Sequence, residues 1–276
     1  DSVTVAHAPA EKATPEGLRP IVVSLAPRKP RSIEVGASYA TVDGAGVNVR
    51  WTHYNRLRRA DTLSFFGQVS DRDTRATADL ALPHWKRPQQ TLPTGAAVNS
   101  ERTDAYDQDG FGIHVDVTRR YGRTFFSSAG SYVTAGVSLV ATRSDETRAG
   151  TLSTVGRELV TAALLGDVLL DRSNDPLNPT SGWRLSARLE PTLIVGDTNL
   201  PYLRAVGQGT YYLALDKRAA TVVAGRLRLG RIINGTVDQI PAPQRLYAGG
   251  GGSVRGYAYQ AVGPRVWDNT PQGGLS

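Results

Sequence analysis

The chain has 276 residues, a formal net charge of +7, no Cys and no Met, and no apolar run approaching the roughly 18 residues that a transmembrane helix needs. Lack of Cys excludes disulfides and thiolate metal sites. A mean hydropathy of −0.29 leaves both a soluble protein and a membrane barrel open, because a barrel carries its apolar residues on alternate positions. The basic charge raises nucleic-acid binding, which the placement of the charges must decide.

In chain order, Val3-Thr4-Val5 and Ile21 to Leu25 predict two short strands. A Pro- and Ala-rich stretch, Ala8 to Gly17, lies between them, and Pro27-Arg28-Lys29-Pro30-Arg31 follows as a stiff basic linker. From residue 33 to 231 apolar residues recur at every second position, the period of a strand with one apolar face. In Phe111 to Thr118 the odd positions are Phe, Ile, Val and Val and the even positions Gly, His, Asp and Thr. Trp183 to Thr192 and Val47 to Thr52 repeat the pattern. About eleven strands are expected, near 33–42, 46–55, 61–70, 73–82, 92–104, 110–119, 125–142, 158–172, 182–194, 202–215 and 219–231. The fifth is the weakest, being largely polar and carrying Pro93.

A soluble sandwich turns its apolar face inward and a membrane barrel turns it to lipid. Strand length favours the barrel: Tyr132 to Thr142 and Leu159 to Leu170 exceed the five or six residues usual in a sandwich. On this reading Arg50, His114, Asp116, Arg184, Arg188, Arg204, Arg226 and Arg228 face the lumen, and Val47, Val49, Ile113, Val115, Leu185, Leu189, Leu227 and Leu229 face lipid. One set of connections is basic: Asn55 to Arg59, Trp85 to Arg87, Arg119 to Arg123, Asn174 to Ser181 and Asp216 to Arg218. The other is mixed or acidic and is expected to hold the longer loops: Val42 to Gly44, Asp71 to Asp73, Asp104 to Asp109, Ser144 to Gly156 and Gly196 to Thr198. The positive charge is thus turn chemistry and lumen lining, which argues against a nucleic-acid patch. Trp51, Tyr54, Trp85, Tyr121 and Trp183, near strand ends on the basic side, fit an interfacial aromatic girdle.

No catalytic constellation emerges. His7, His53, His84 and His114 lack metal-ligand spacing, no G-x-S-x-G elbow is present, and His114 beside Asp116 reads as a solvated pair. Glycine-rich Gly249 to Gly256 is no P-loop, since no Gly-Lys-Ser/Thr follows it; its plain reading is a flexible surface loop. Neither an enzyme activity nor a cofactor or metal is expected.

Two stretches carry a resemblance. Arg245-Leu246-Tyr247-Ala248-Gly249-Gly250, continuing through Val254-Arg255-Gly256-Tyr257 to Gly263-Pro264, resembles the sixth-loop motif of the outer-membrane protein assembly superfamily of BamA and TamA type. Asp171-Arg172, continuing through Pro176, Pro179 and Gly182 to Arg184, resembles that family's turn before the ninth barrel strand. The lead-in from Arg19 to Tyr39 is similar to the last POTRA strand running into the barrel, and within the family looks most like the translocation and assembly module.

The resemblance implies an all-β, antiparallel up-and-down transmembrane barrel, present as about eleven of sixteen strands plus the sixth loop. Residues 1–32 would be the tail of the last POTRA domain with its linker, and 33–276 the barrel, cut at the start of strand twelve. It also implies roles. Gly249, Gly250, Val254, Arg255, Gly256 and Tyr257 form the sixth-loop motif, with Arg255 deep in the lumen against a carboxylate that relatives carry on a later strand, beyond the part of the barrel present here. Asp171, Pro176, Pro179 and Gly182 set strand register. Ile33, Val35, Gly36 and Tyr39 lie on the lateral-seam strand, where an incoming strand pairs. The implied location is the bacterial outer membrane. The implied partners are its lipid, unfolded autotransporter or outer-membrane clients, and a TamB-like protein spanning the periplasm, with no nucleic acid. The implied function is insertion of such clients; rivals are a two-partner secretion transporter, a passive porin and a barrel anchored to an enzyme.

Overall fold

The computed structural model describes residues 2–9, 17, 19–26, 29–40, 44–122, 130–147, 154–266 and 269–276. They form two antiparallel sheets. The small one pairs β1 (Ser2–His7) with β2 (Ile21–Ala26), register Ser2↔Ala26 to His7↔Ile21, and its apolar residues are exposed. Most of the Pro- and Ala-rich stretch between them lies outside the described residues, as do Pro27 and Arg28 of the linker.

The large sheet has eleven strands, each hydrogen-bonded to its neighbours in sequence. They are β3 (Arg31–Ala40), β4 (Gly44–Tyr54), β5 (Thr62–Ser70), β6 (Asp73–Pro83), β7 (Gln90–Arg102), β8 (Tyr106–Arg120), β9 (Tyr132–Thr147), β10 (Thr154–Asp171), β11 (Gly182–Gly196), β12 (Leu200–Ala214) and β13 (Val222–Ile233). This is the meander read from the alternation, with the large sheet starting at Arg31 rather than residue 33. The polar fifth strand forms as β7, and Pro93 sits within it, paired opposite Ala81 on β6. The first part of the seventh expected strand, 125–129, falls outside the described residues.

The register puts the two side-chain sets on opposite faces. Val35, Val49, Gly67, Ala76, Val98, Phe111, Ala141, Val160 and Val195 follow one another across nine strands. Among them Val35, Val49, Val98, Phe111, Val160 and Val195 are exposed. All eight residues expected to face lipid lie on this exposed face. The eight expected to face the lumen lie on the other. There Arg188 Nε meets Asp167 Oδ2 at 2.9 Å and Arg204 Nη1 meets Glu190 Oε2 at 2.7 Å across neighbouring strands. Arg231, between Leu229 and Ile233 near the end of β13, breaks the apolar face.

The sheet curls about the polar face. The chain after β13 packs Tyr247 against Tyr106 of β8, with ring centroids 6.3 Å apart, and Tyr259 under Arg72 in the β5–β6 turn, 5.8 Å from the guanidinium. β13 and the β5–β6 turn are eight strands apart. In a flat sheet that is on the order of 38 Å. Strands β3 and β13 are the two edges and do not pair with each other.

One expectation is reversed. The mixed or acidic end does not hold the longer hairpin loops. Its connections are 41–43, 71–72, 103–105, 148–153 and 197–199, whereas the basic end has 55–61, 84–89, 121–131, 172–181 and 215–221. Only the segment after β13 is long there. The hairpins keep their backbone ladders beyond the point where hydrophobic alternation stops: Ser144↔Arg157, Glu146↔Val155 and Thr147↔Thr154 all pair. Backbone bonding needs no apolar side chain, so the sequence pattern ends before the strand does.

Candidate functional site: a loop folded against the lumenal wall

After β13, residues 234–276 turn back along the polar face of the sheet. Leu246↔Gly274, Ala248↔Val262 and Arg265↔Pro271 bridge within the loop, and Ile232 of β13 donates its N–H to the carbonyl of Leu275 at 2.7 Å. A single 3-10 turn, Ala242–Gln244, follows Pro241, whose missing N–H costs nothing at that position.

Two sets of contacts hold the loop to the wall. The first is apolar. Ile240, fully buried, packs with Leu159, Ile194, Tyr202 and Ile232 from β10 to β13, flanked by Leu200, Leu246 and Leu275. Burying each such side chain contributes roughly 1.5–3 kcal/mol. Sequence reasoning missed this patch, though a signal exists. Leu159-Val160, Ile194-Val195 and Ile232-Ile233 are adjacent apolar pairs, so at those heights both faces of the sheet are apolar.

The second is ionic. Glu146 on β9 and Arg157 on β10 lie diagonally on one face of their hairpin and meet at 2.8 Å. The other Glu146 oxygen receives Arg245 Nη2 of the loop at 3.2 Å and the backbone N–H of Ala242 at 2.5 Å. Side-chain exposures of 2% for Glu146, 7% for Arg157 and 6% for Arg245 make all three interior charges. Two cations on one carboxylate leave an excess positive charge, which backbone carbonyls solvate. Arg245 donates to Ile240 O at 2.8 Å and Gln272 O at 3.1 Å, and Arg157 to Asp238 O and to Gln239 O. Burial pulls Arg245 below its usual range and the Glu146 charge opposes that shift. Tyr202 Oη donates to Gln244 Oε1 at 2.6 Å, and Gln244 Nε2 donates to Thr161 Oγ1 at 3.0 Å.

The structure separates the sixth-loop motif into a buried part and an exposed part. Gly249 and Gly250 are buried in the fold-back. Gly249 has φ +115, and a Cβ there would lie 2.4 Å from the carbonyl of Ala258, so only glycine fits. Ser253 closes the turn, its hydroxyl taking the Gly249 N–H at 2.8 Å and donating to the Gly249 carbonyl at 3.0 Å. Val254, Arg255, Gly256 and Tyr257 are exposed. Arg255 is exposed, and no described carboxylate pairs with it; the acid that the resemblance supplies lies on a later strand, outside these residues. The buried, ion-paired loop arginine is Arg245, ten positions earlier in sequence, at the wall-bound start of the motif.

The register turn is built as its residue types suggest. Asp171, buried at the end of β10, accepts from the Ser173 N–H at 2.8 Å and hydroxyl at 2.6 Å, and lies 2.9 Å from Arg184 Nε. Arg184 also donates to the carbonyls of Asp175 and Pro176. Gly182 has φ +100, and a Cβ there would fall 2.2 Å from the Arg172 carbonyl oxygen. Pro179 is half-buried and Pro176 exposed. On the seam strand, Ile33, Val35 and Tyr39 are exposed on the apolar face, and Gly36 makes room on the other face for the Asn48 side chain, 2.9 Å from where a Cβ would be. His114 and Asp116 share the lumenal face at 3.8 Å. Among the described residues no cluster has the make-up of a metal site.

Comparison with known proteins gives a consistent picture. Residues 55–276 match the Omp85 superfamily domain. Outer membrane protein assembly factor BamA of Neisseria meningitidis serogroup B is 29% identical over 98 residues, covering 36% of this chain and 12% of that protein. The crystal structure of BamA from Haemophilus ducreyi lacking POTRA domains 1–3 superposes with a TM-score of 0.73 at 16% identity, over 96% of this chain and 52% of that one. CdiB from Acinetobacter baumannii gives 0.51 at 15% identity, over 94% and 48%. This chain thus spans about half the length of the solved structures it resembles.

Proposed function

Because this chain belongs to the Omp85 superfamily and is an outer-membrane protein, we propose that it assembles other β-barrel proteins, autotransporters among them, into the outer membrane by strand pairing at a lateral seam. The observation that carries this reading is β3. It is the first strand of the large sheet, its ten residues pair on one side with β4, and in a closed barrel its other edge would meet the last strand. An incoming strand that hydrogen-bonds to such an edge gains affinity from backbone groups, with little demand on its sequence. Small residues at Gly36, Ala37 and Ser38 keep the edge open to many clients. The loop anchored on β9 to β13 stiffens the opposite side of the lumen, so that movement concentrates at the seam. The lead-in from Arg19 to Tyr39 supports the translocation-and-assembly branch, β1–β2 as the end of a POTRA domain, and a TamB-like partner in the periplasm. In this orientation the basic turns face the periplasm and the loop lies at the outer mouth.

The test uses the full-length protein in cells depleted of the native copy. Val35→Cys should crosslink to a Cys-bearing terminal strand of an autotransporter client during assembly, and locking β3 to the last strand with a disulfide should stop surface display. Full display from the locked barrel sinks the proposal. The likeness to CdiB favours a second reading, a two-partner secretion transporter. That reading expects the lock to be harmless and substrate to crosslink instead to lumenal positions such as Gln208.

A further inference from the structure

The two rims of the sheet treat their charges in opposite ways. At the loop end most cations pair with acids: Arg72 with Asp104 at 3.7 Å, Arg75 with Asp73 at 3.2 Å, Arg143 with Glu158 at 4.0 Å, and the two buried arginines on Glu146, with Arg102 and Arg231 left exposed and outside these pairs. At the other end the acids are consumed by the fold. Asp61, 1% exposed, caps its turn by accepting from the N–H groups of Leu57 and Arg59. Asp216 accepts from the N–H groups of Arg218, Ala220 and Thr221, and Asp175 from those of Leu177 and Asn178. Asp171 is held by Ser173 and Arg184. What remains outward is cationic. Arg31, Arg58, Arg59, Lys86, Arg119 and Lys217 are exposed and have no ion pair among the described residues.

These cations share their depth with aromatic rings. Register places Arg31 beside His53, and Trp51 packs against His53 and Phe65 at centroid separations of 5.8 and 5.6 Å, all on the apolar face. Arg119 follows Val117 onto that same face at the end of β8 and lies over the Tyr121 ring at 5.4 Å. Lys86 lies over the Trp85 ring at 4.4 Å. Trp183 and Tyr211 pair on the outer face of β11 and β12. Aromatic rings of this kind sit at headgroup level, so Arg31, Lys86 and Arg119 lie in the plane of lipid phosphates, with Arg58, Arg59 and Lys217 on the turns of the same rim.

We propose that this rim is an interaction surface for anionic phospholipid headgroups of the periplasmic leaflet, with phosphatidylglycerol as the model ligand. The leaflet assignment rests on the orientation given under Proposed function. Each cation near an anionic surface is worth on the order of 1 kcal/mol, about fivefold in affinity. The capping acids of this rim keep their charge but are held by backbone N–H groups and form no ion pair with these cations, which leaves the cations' own donors free for phosphate oxygens. The surface fixes the depth of the barrel and collects anionic lipid around it.

The test reconstitutes the full-length protein in vesicles of equal phosphatidylglycerol and phosphatidylcholine, with one or the other lipid brominated. Quenching of Trp85 is isolated by difference against Trp85→Phe. Brominated phosphatidylglycerol should quench several-fold more strongly. The preference should disappear in R58Q/R59Q/K86Q/R119Q, fall with added salt in the unaltered protein, and survive in R75Q/R143Q at the other rim. Equal quenching by the two lipids overturns the proposal and leaves an acidic periplasmic protein as the class of partner those cations suit. A preference that is insensitive to salt, or that persists in the folded quadruple variant, overturns it too. Lipid preference is read without any client, so failure of the assembly function does not affect it. The orientation is checked separately with Arg58→Cys and a membrane-impermeant thiol reagent: labelling only after the outer membrane is permeabilised supports the periplasmic leaflet, and labelling in intact cells overturns it.

Discussion

Glu146 is the residue on which the loop's ionic anchoring turns. Two arginines share its carboxylate in an interior setting, and removing the negative charge leaves both without a counter-ion. Breaking a buried pair in this way costs about 3–5 kcal/mol. Glu146→Gln should therefore release residues 234–276 from the wall, read as new trypsin cleavage within the loop of the folded barrel. Arg245→Lys should retain only part of the wild-type protection, since lysine cannot donate to Glu146, Ile240 and Gln272 from one planar fork. A loop in Glu146→Gln as resistant as the wild type would show that the apolar patch holds it alone. Glycines divide in the same way. Gly182→Ala meets the Arg172 carbonyl at a positive φ, whereas Gly225→Ala finds nothing within 4 Å. The first should lower the unfolding free energy, read from a urea titration, by more than the roughly 1 kcal/mol by which a tolerated glycine-to-alanine change raises it, and the second should leave it unchanged or slightly raised. Arg255 was the residue the sequence made most conspicuous, and here it is exposed. A glycine-rich turn allows a deep position without requiring one; the partner is what fixes depth.

At the scale of the element, the turns at the basic end owe their order to carboxylates that cap backbone N–H groups. Those donors hold Asp216 and Asp175 below the usual carboxylate range. A depressed folded pKa contributes stability that is present above the unfolded value, near 4, and is lost as pH falls through the lower folded value. Amide protection factors in 215–221, corrected for the intrinsic exchange rate at each pH, should fall once pH drops below about 4, and Asp216→Asn should flatten that dependence. No change on acidification in the wild type would mean the turn is held by the β12–β13 ladder alone. The strands were legible because their alternation is driven by two different media on the two faces. Their ends were less so. β9 and β10 extend to Thr147 and back from Thr154 through Asp145, Glu146 and Arg157, residues that read as a loop because they are charged. In the folded chain the same charges form the clamp.

Beyond the small β1–β2 pair, the described residues form an eleven-stranded curled sheet with lipid on one face and a loop-filled polar interior on the other. A charge is costly on the first face and tolerated on the second. Leu189→Arg, on the apolar face of β11, should impair insertion into vesicles by about 2–4 kcal/mol, while Gln208→Arg on the lumenal face of β12 should insert at close to the wild-type rate. The measurement is the folded fraction by heat-modifiable gel mobility across a urea series. Equal behaviour of the two variants would contradict the assignment of faces.

Sequence by itself determined the strands of the large sheet, their order and the two faces, because each follows from local periodicity. Resemblance added the family, which the match over residues 55–276 bears out. Tertiary structure decided where the loop goes and which of its arginines is buried. Arg245 and Glu146 are separated by 99 residues, and neither carries a local signal of the other. Only curling of the sheet brings the β9–β10 hairpin, the ends of β11 to β13 and the loop to one place. There, burial turns three ordinary surface charges into an anchor.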